Sequence, residues 1–306
     1  MNGHPLDTSA EVQRLVEYIR ARFKVDPQVF LEALKLSPNA QGGVIGALTE
    51  YLLKKTLEDQ GFLVERIPEK WEGQKLHHGD FYVSKGPDKP AYILESKGLK
   101  SNAEIFRLGT KGGTGREVSL RKLIRELRSH YDILLSHNKV PKANSDTEKD
   151  EYLENFLLQL FPNLDFSSPD ETGIAIDELT EKLRLLVSHF VNSKSSGSRK
   201  QNTPAKTEFH IVAVNLFIKL EKHVFIYAPI TRLPEGKRKG HLKQNYFIGF
   251  AYRENTDEPF HYCLDDIWSE SFSEVFAEVE KEVSKNSSSI RPAIKPEEKH
   301  VDRRGI

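Results

Sequence analysis

GDFYV at Gly79–Val83 and YILESK at Tyr92–Lys97 are the two stretches from which the fold of this chain follows. Both are runs of aromatic, aliphatic and β-branched residues with about the length of one strand. The residues GPD at 86–88 lie between them and favour a tight turn. We therefore predict two neighbouring strands, Asp80–Ser84 and Ala91–Ser96, that form a hairpin.

The regions around this hairpin alternate between helical and extended patterns. The spacing of apolar residues predicts helices at 12–23, 27–36, 44–58, 116–136, 151–160, 174–191 and 273–283, with Gly42-Gly43 as a break before the third. Further strands are predicted at 62–67, 209–220, 223–230, 246–252 and 260–264. This order is typical of an α/β domain, here a central mixed β-sheet flanked by helices, with N-terminal helices and a helical insertion near 140–190. We expect one domain over 1–285 and a disordered tail over the polar residues 286–306.

Bulk composition limits the class of protein. The chain has 306 residues and a single cysteine, Cys263, which excludes an intrachain disulfide and a cysteine-based zinc cluster. No apolar run approaches the length of about 18 residues that a membrane span needs. The first residues also lack a basic segment followed by an apolar stretch, the pattern of a signal peptide. We therefore expect a cytoplasmic protein with no membrane partner.

The charges are balanced overall but unevenly distributed. The chain has 45 basic and 45 acidic residues. Ser96–His130 carries nine basic and three acidic residues, and Arg232–Lys243 carries five basic residues and one acidic residue. Asn144–Lys182 has two basic and eleven acidic residues. Because a polyanion needs a basic surface only where it is contacted, this distribution favours a nucleic-acid partner although the net charge is zero.

Asp80 and Glu95 are the candidate metal ligands. They lie on adjacent predicted strands, and two carboxylates held close together repel each other unless a cation neutralises them. Ligation by oxygen alone suits Mg²⁺. Strand alternation places Lys97 on the same face as Glu95 and Ser96 on the other. An ammonium in that position can hold an attacking water and stabilise the charge that develops on a phosphate.

The residues Asp80 and Glu95-Ser96-Lys97 resemble the motif of the PD-(D/E)XK nuclease superfamily, and most of all its type II restriction endonucleases. Asp80 corresponds to the first acid of the family, and Glu95-Ser96-Lys97 to its (D/E)-X-K element. Glu50, on a helix before the first core strand, matches a further acid common in the family. Residue 79 is Gly where the motif has Pro. The resemblance covers a catalytic core of about 44–101.

This resemblance implies Mg²⁺-dependent, site-specific cleavage of double-stranded DNA by Glu50, Asp80, Glu95 and Lys97. Cleavage of both strands of a palindrome favours a homodimer. We expect contacts with the DNA backbone from two basic segments that flank one cleft, while the acidic stretch Asn144–Lys182 lies away from it. The candidate DNA-binding residues are Lys100, Arg107, Lys111, Arg116, Arg232, Lys237, Arg238 and Lys239.

Alternatives remain open for the residues and for the function. Singly, Asp80 also fits a turn residue, Glu95 and Lys97 fit a solvated strand edge, and Glu50 fits an i,i+4 partner of Lys54. A repair, recombination or transposition nuclease of the same superfamily is one alternative function. A DNA-binding protein on the same scaffold that does not cleave is the other.

Overall fold

The computed structural model describes residues 8–68, 77–99, 117–169, 172–190, 203–285 and 290–299. The chain divides into two compact units, Met1–Leu52 and Leu53–Ile306, where the sequence predicts one domain over 1–285. In the first unit, helix α1 (Thr8–Phe23) packs on helix α2 (Pro27–Lys35). Helix α3 (Pro38–Asp59) begins in this unit and runs through Gly42-Gly43, where the sequence predicts a break.

The larger unit contains the end of α3 and all the described strands. The strands are β1 (Leu63–Arg66), β2 (Phe81–Ser84), β3 (Tyr92–Gly98), β4 (Glu117–Ser119), β5 (Gly173–Ala175), β6 (Leu183–His189), β7 (Ile211–Asn215), β8 (Phe225–Pro229), β9 (Asn245–Tyr252) and β10 (His261–Leu264). The helices are α4 (Leu120–Arg128), α5 (Tyr131–Ser136), α6 (Asp146–Leu160), α7 (Ile176–Lys182), α8 (Phe217–Leu220) and α9 (Phe272–Ser284). Short 3-10 turns lie at Ile230–Arg232 and Pro296–Glu298.

The main sheet is mixed, with the strand order β1-β2-β3-β7-β8. All neighbouring strands are antiparallel except β3 and β7, which are parallel. Phe81 of β2 pairs with Leu94 of β3, which confirms that these two strands are neighbours. On the other side of β3, Glu95 pairs with Val212 and Lys97 pairs with Val214. The predicted mixed α/β class, with a sheet flanked by helices, is confirmed.

Aromatic contacts attach α9 to the main sheet. The ring of Phe276 meets the ring of Tyr92 at 5.1 Å between centroids, and Phe272 meets Tyr227 at the same distance. Leu57, near the end of α3, is fully buried in the same core. Large aromatic side chains bury much apolar area, so these contacts fix β3 and β8 against the helix.

A second, smaller sheet has the order β10-β9-β6 and packs with α4, α5 and α6 around its own core; this sheet and these helices are here called the smaller lobe. The two sheets are linked where β3 ends, because Leu99 forms a bridge with Ser188 of β6. The Ser188 hydroxyl also donates to the Gly98 carbonyl at 3.0 Å. The end of β3 is therefore tied to a residue 90 positions later in the sequence.

The helix predicted over 174–191 is wrong for most of its second half, which forms strand β6. The structure has the short helix α7 followed at once by β6. Leu183, Leu185 and Val187 enter the second core, whereas Leu186 enters the core of the main sheet. A strand that is buried on both faces gives a continuous apolar run, and periodicity cannot distinguish such a run from a buried helix. The insertion near 140–190 is therefore not entirely helical.

Two further element boundaries differ from the prediction. The single helix predicted at 116–136 is two helices, α4 and α5, and α4 begins after Ser119, whose hydroxyl accepts from the Lys122 amide. The strand predicted at 209–220 ends at Asn215, because the chain continues into α8.

The segment 290–299 differs from the disordered tail predicted for 286–306. Ile294 is buried and exchanges two backbone hydrogen bonds with Ala91, both 2.8 Å long. Lys299 is almost fully buried, and its Nζ lies 2.7 Å from the Glu65 carboxylate on β1. Polar composition suggests disorder, but buried isoleucines and a paired lysine attach this segment to the main sheet.

Candidate functional site

The structure brings Asp80, Glu95 and Lys97 together at one end of β3. Asp80 lies directly before β2 and is buried, with 8% of its surface exposed. Its Oδ2 accepts a hydrogen bond from the Ser96 backbone amide at 2.8 Å. The Asp80 carboxylate therefore lies against the backbone of the residue between Glu95 and Lys97.

Glu95 and Lys97 form an ion pair within β3. Residues two apart on a strand share a face, so this pair has the geometry expected from strand alternation. The side chains are 15% and 21% exposed, respectively. This partial burial contradicts the fully solvated strand edge, which is the alternative for these two residues.

Gly79 shapes the approach to Asp80. Its φ is +125°, and a Cβ at this position would lie 2.3 Å from Cγ2 of Ile93. Proline, which stands here in the family motif, is fixed near −65° and cannot adopt this conformation. The departure from the motif thus has a local cause: the chain enters β2 through a conformation that only glycine adopts without strain.

The donor atoms at this site fit a hard cation such as Mg²⁺ better than zinc or copper. Asp80 and Glu95 offer carboxylate oxygens, and Mg²⁺ is commonly bound by one or two carboxylates together with water and phosphate oxygens. Among the described residues no group of three or more His, Cys, Asp or Glu side chains forms a metal cage. The two carboxylates thus suit a hard cation that takes its remaining oxygen ligands from water or phosphate.

Glu50 lies on α3 in the N-terminal unit and is half-buried. It stands one turn before Leu53 and two turns before Leu57, both fully buried. Lys54, the alternative i,i+4 partner of Glu50, forms an ion pair with Glu58. The catalytic assignment of Glu50 stays a prediction from the sequence.

The candidate DNA-binding residues fall into two groups. Lys100, Arg107, Lys111 and Arg116 lie outside the described residues. Arg232 follows β8, and its guanidinium forms a two-pronged ion pair with Glu278 of α9, with one contact at 2.8 Å. A carboxylate of the same chain holds this guanidinium, and the DNA-binding assignment of Arg232 stays a prediction from the sequence.

Lys237, Arg238 and Lys239 lie at the tip of a small hairpin, and most of this tip is exposed. The hairpin is closed by a bridge between Glu235 and Leu242, and the Gly240 amide donates to the Glu235 carboxylate at 3.1 Å. Three successive cations on an anchored loop are suited to contact with a phosphate backbone.

The arginines of α4 contact the acidic stretch Asn144–Lys182. Arg128 Nη1 lies 3.1 Å from Asp150 of α6, whereas the expected placement of this stretch away from a DNA cleft stays a prediction. Arg121, Arg125 and Glu154 complete the charged lining of a cavity of about 230 Å³ between the helices. Burial, followed by the neighbouring Asp150 and Glu151, raises the pKa of Glu154. The acidic stretch therefore offsets part of the basic charge within the smaller lobe.

His210 is a residue that the sequence does not single out, and it lies at the opposite end of β3. Its Nδ1 accepts from the Ile93 amide at 2.8 Å, and its Nε2 donates to the Arg291 carbonyl at 3.0 Å. Burial lowers the pKa of this ring to about 4, against the opposing effect of the Arg291 carbonyl. His210 is thus a neutral ring that joins β3 to the C-terminal segment. A lone histidine before an apolar run gives no signal of this role.

Tyr82 of β2 is excluded as a base at neutral pH. Burial raises its pKa to about 12; the nearby Arg291 charge lowers it and Glu65 raises it further. Its hydroxyl lies 2.6 Å from Nδ1 of His77. Lys97 and the two carboxylates remain the groups of these strands that are suited to chemistry.

Comparison with protein-family models, with curated proteins and with solved structures finds no match for this chain. Within the described ranges, no helix is both long enough and apolar enough to cross a membrane.

Proposed function

We propose that this chain is a Mg²⁺-dependent, site-specific endonuclease of double-stranded DNA, similar to the type II restriction enzymes of the PD-(D/E)XK superfamily. The observation that carries the proposal is the hydrogen bond from the Ser96 amide to Asp80. It joins the first acid of the motif to the strand that bears Glu95 and Lys97. Residues that are 15 and 17 positions apart in the sequence thereby form one cluster.

Asp80 and Glu95 would hold the cation in this site. A bound Mg²⁺ supplies positive charge that polarises a phosphate and acidifies a water molecule. Asp80 contributes a carboxylate whose direction is fixed by the Ser96 amide, so little conformational entropy is lost when it binds. Glu95 contributes a second carboxylate on a strand that is hydrogen-bonded on both sides.

Lys97 is positioned to act on the phosphate and on the attacking water. Its ion pair with Glu95 keeps the ammonium at that carboxylate and limits its rotamers. A positioned cation stabilises the negative charge that develops on a phosphate in the transition state. Ser96 contributes through its backbone amide, so its side chain has no expected chemical role.

The surrounding structure supports the choice of a large, anionic substrate. The site lies at a half-buried strand end, where the burial of β3 decreases from Leu94 to Gly98. The cations of the Lys237–Lys239 tip offer sequence-independent contacts with phosphates. The mixed sheet flanked by helices is the architecture that the resemblance implies. The smaller lobe adds surface for recognition beyond a minimal nuclease core.

Incubation of the purified chain with phage DNA and Mg²⁺ tests this function. Discrete fragments are expected, because a site-specific enzyme cuts at a limited set of sequences. A smear would support a non-specific nuclease, such as a repair enzyme, in place of a restriction enzyme. Shifted but intact DNA would indicate a binding protein that does not cleave. A preparation of Glu95→Gln serves as the control for contaminating nucleases.

A further inference from the structure

A charged cavity of about 230 Å³ lies between α4 and α6 in the smaller lobe, and the described residues that line it include none of the proposed active site. Arg121, Arg125 and Arg128 line its α4 wall, and Asp150 and Glu154 line its α6 wall. All five residues belong to the larger unit. Among the described lining residues, guanidiniums outnumber carboxylates by one, so the cavity favours an anionic ligand.

The arginine wall is one face of α4. Its three arginines are spaced i, i+4, i+7, so their side chains leave the helix on the same side. Leu123, on the opposite side of the helix, is buried in the core of the smaller lobe, and Leu127 is buried there too. Because these leucines fix the rotation of α4 about its axis, the arginines are held on the side that faces α6.

The arginines of this wall differ in their pairing with carboxylates. Arg128 Nη1 lies 3.1 Å from Asp150, and the Asp146 carboxylate lies 3.9 Å from the same atom. Arg125 forms no ion pair with any residue that the structure describes. A guanidinium presents its N–H donors as a fixed fork that matches two oxygens of one anion. Arg125 is therefore the cation of this wall best able to bind an added anion.

Glu154 gives the opposite wall a hydrogen-bond donor. Burial, followed by the neighbouring Asp150 and Glu151, raises the pKa of Glu154. The other charged groups that line the cavity are the three arginines of α4 and Asp150. A protonated carboxyl donates a hydrogen bond, and an anion beside it favours the protonated form further. Binding of an anion should therefore be accompanied by uptake of a proton at Glu154.

The volume of the cavity limits the size of the ligand. Pockets for drug-sized molecules have about 300–1,000 Å³, so a cavity of about 230 Å³ suits a smaller molecule. It corresponds to about seven water molecules at about 30 Å³ each, more than one phosphate group fills. Ile124 and Pro169 add apolar surface to the lining, and the Pro169 carbonyl accepts from the Arg121 amide at 3.0 Å.

The charge of the cavity distinguishes a phosphate from a carboxylate. With Glu154 protonated, the described lining residues carry an excess of two positive charges. A phosphate monoester carries a charge of about −1.5 to −2 at pH 7, whereas a carboxylate carries a single negative charge. We propose that this cavity binds a small phosphomonoester, with its phosphate between Arg125 and Glu154 and its remaining atoms against Ile124 and Pro169.

This ligand differs from the DNA backbone, which the sequence predicts as a partner of the basic segment that contains α4. A duplex contacts a protein surface along several phosphates in a row. A cavity between two helices admits one small molecule, and its arginines face α6. The cavity shares no described lining residue with the Asp80, Glu95 and Lys97 cluster, so the proposed ligand is independent of the proposed cleavage.

Isothermal titration calorimetry of the full chain, without DNA or Mg²⁺, tests this site with ribose 5-phosphate and inorganic phosphate as probes. Ribose 5-phosphate should bind more tightly than inorganic phosphate, because its sugar fills the rest of the cavity. Arg125→Gln should raise the dissociation constant for ribose 5-phosphate by about tenfold to a hundredfold, the usual effect of losing a hydrogen bond to a charged group. Circular dichroism verifies that the variant is folded.

Lys122→Gln is the matched control. Lys122 is an exposed cation of the same helix and is not among the lining residues of the cavity. This variant should bind ribose 5-phosphate within about twofold of the wild type, because only the overall charge of α4 changes and exposed charges are screened by salt. An equal loss of affinity in Lys122→Gln and Arg125→Gln would contradict the site, since the ligand would then respond to overall charge alone.

Proton uptake provides a second measurement that separates the cavity from a solvated arginine. Sulfate is the probe, because it has the shape of phosphate and does not titrate near neutral pH. Titrations at about pH 6 in buffers with different ionisation enthalpies should show uptake of a proton by the wild type and none by Glu154→Gln. Binding without proton uptake by the wild type would place the anion away from Glu154 and contradict the proposal.

Two further results would overturn the proposal. One is a folded wild-type chain that does not bind ribose 5-phosphate at about 10 mM, or that binds inorganic phosphate as tightly. The other is binding of duplex DNA that weakens in Arg125→Gln while ribose 5-phosphate does not bind, which would assign these arginines to the DNA backbone. Each readout is ligand binding without Mg²⁺, so failure here is distinguishable from failure of the nuclease proposal.

Discussion

The two ends of strand β3 lie in one sheet and yet differ in character. At the first end, Tyr92, Ile93 and Leu94 are buried, and His210 closes the strand as a neutral ring. At the second end, Glu95 and Lys97 are half-buried and charged, with Asp80 beside them. The buried end has a structural role, whereas the charged end keeps partial access to solvent, as the proposed chemistry requires. Substitutions at the two ends should therefore change different measurable quantities.

The largest effect is expected from the carboxylates of the charged end. Asp80→Asn and Glu95→Gln should each lower the cleavage rate by about a thousandfold or more, because each removes a negatively charged ligand of the proposed cation. Asparagine at position 80 keeps a side-chain oxygen that can accept from the Ser96 amide, so the local backbone should be preserved. The free energy of unfolding should change little, as measured by urea denaturation.

A DNA-binding assay distinguishes loss of cleavage from loss of DNA binding in these two variants. A gel-shift assay in Ca²⁺ should find that both variants retain their affinity for DNA. If either variant cleaves at the wild-type rate, the charged end is not the active site. If either one unfolds, the distinction between the two ends of β3 fails.

The next largest effect on the cleavage rate is expected at Lys97, whose side chain lies on the opposite face of β3 from that of Ser96. Lys97→Ala should lower the cleavage rate by about a hundredfold to a thousandfold, the usual cost of removing one positioned group that stabilises transition-state charge. Ser96→Ala is the matched control and should leave the rate within about twofold, because Ser96 contacts Asp80 through its backbone amide. Single-turnover cleavage rates provide the measurement. Equal losses in the two variants would show that the strand register is wrong.

The buried end should make the free energy of unfolding depend on pH, through His210. Burial lowers the pKa of His210 to about 4, below its usual value of 6.5. Between these two values the unfolded chain binds a proton at this ring and the folded chain does not. The free energy of unfolding is therefore greatest above about pH 6.5 and decreases as pH falls toward about 4. One pKa unit is worth about 1.4 kcal/mol, so the loss is about 3 kcal/mol.

His210→Gln isolates this contribution. Glutamine keeps one acceptor for the Ile93 amide and one donor for the Arg291 carbonyl, but it does not titrate. Urea denaturation from about pH 8 to about pH 4 should give a shallower loss of stability in this variant than in the wild type. Parallel curves for the two proteins would mean that His210 is not the titrating group.

The smallest effect is expected from the basic hairpin. Neutralising Lys237, Arg238 and Lys239 together should weaken binding to all DNA sequences and reduce the slope of log K against log salt by up to about 3. Lys222→Ala is the control, because it removes one exposed cation outside the hairpin, and it should leave the salt slope unchanged. An unchanged slope in the triple variant would make the hairpin a solvated surface. Loss of the preferred site alone would mean that the hairpin reads bases.

The charged end is more predictable from the sequence than the buried end. Asp80, Glu95 and Lys97 lie on or beside short strands with clear boundaries, and strand alternation fixes which side chains share a face. The partners of other parts of β3 are far away in the sequence: His210 contacts Ile93, and Ser188 contacts Gly98. No local pattern encodes such contacts, because they depend on how distant segments pack.

The wrongly predicted elements share a physical cause. The sequence pattern predicts a helix where strand β6 lies, because both faces of the strand are buried and its apolar run has no strand period. The sequence pattern predicts disorder for the segment 290–299, because its few buried apolar residues, Ile290 and Ile294, stand among polar ones. In both cases tertiary packing decides the structure against the local pattern.

Digestion of supercoiled plasmid DNA by the wild-type chain, with Glu95→Gln purified in parallel, is the sharpest test of the chemistry proposed for the charged end of β3. We predict that the wild type converts the plasmid to cut forms in Mg²⁺, that EDTA stops the reaction, and that the variant leaves the plasmid intact. Cleavage that continues in EDTA, or at the same rate in Glu95→Gln, would contradict this. So would intact plasmid after incubation with folded wild-type protein that binds the DNA in Mg²⁺.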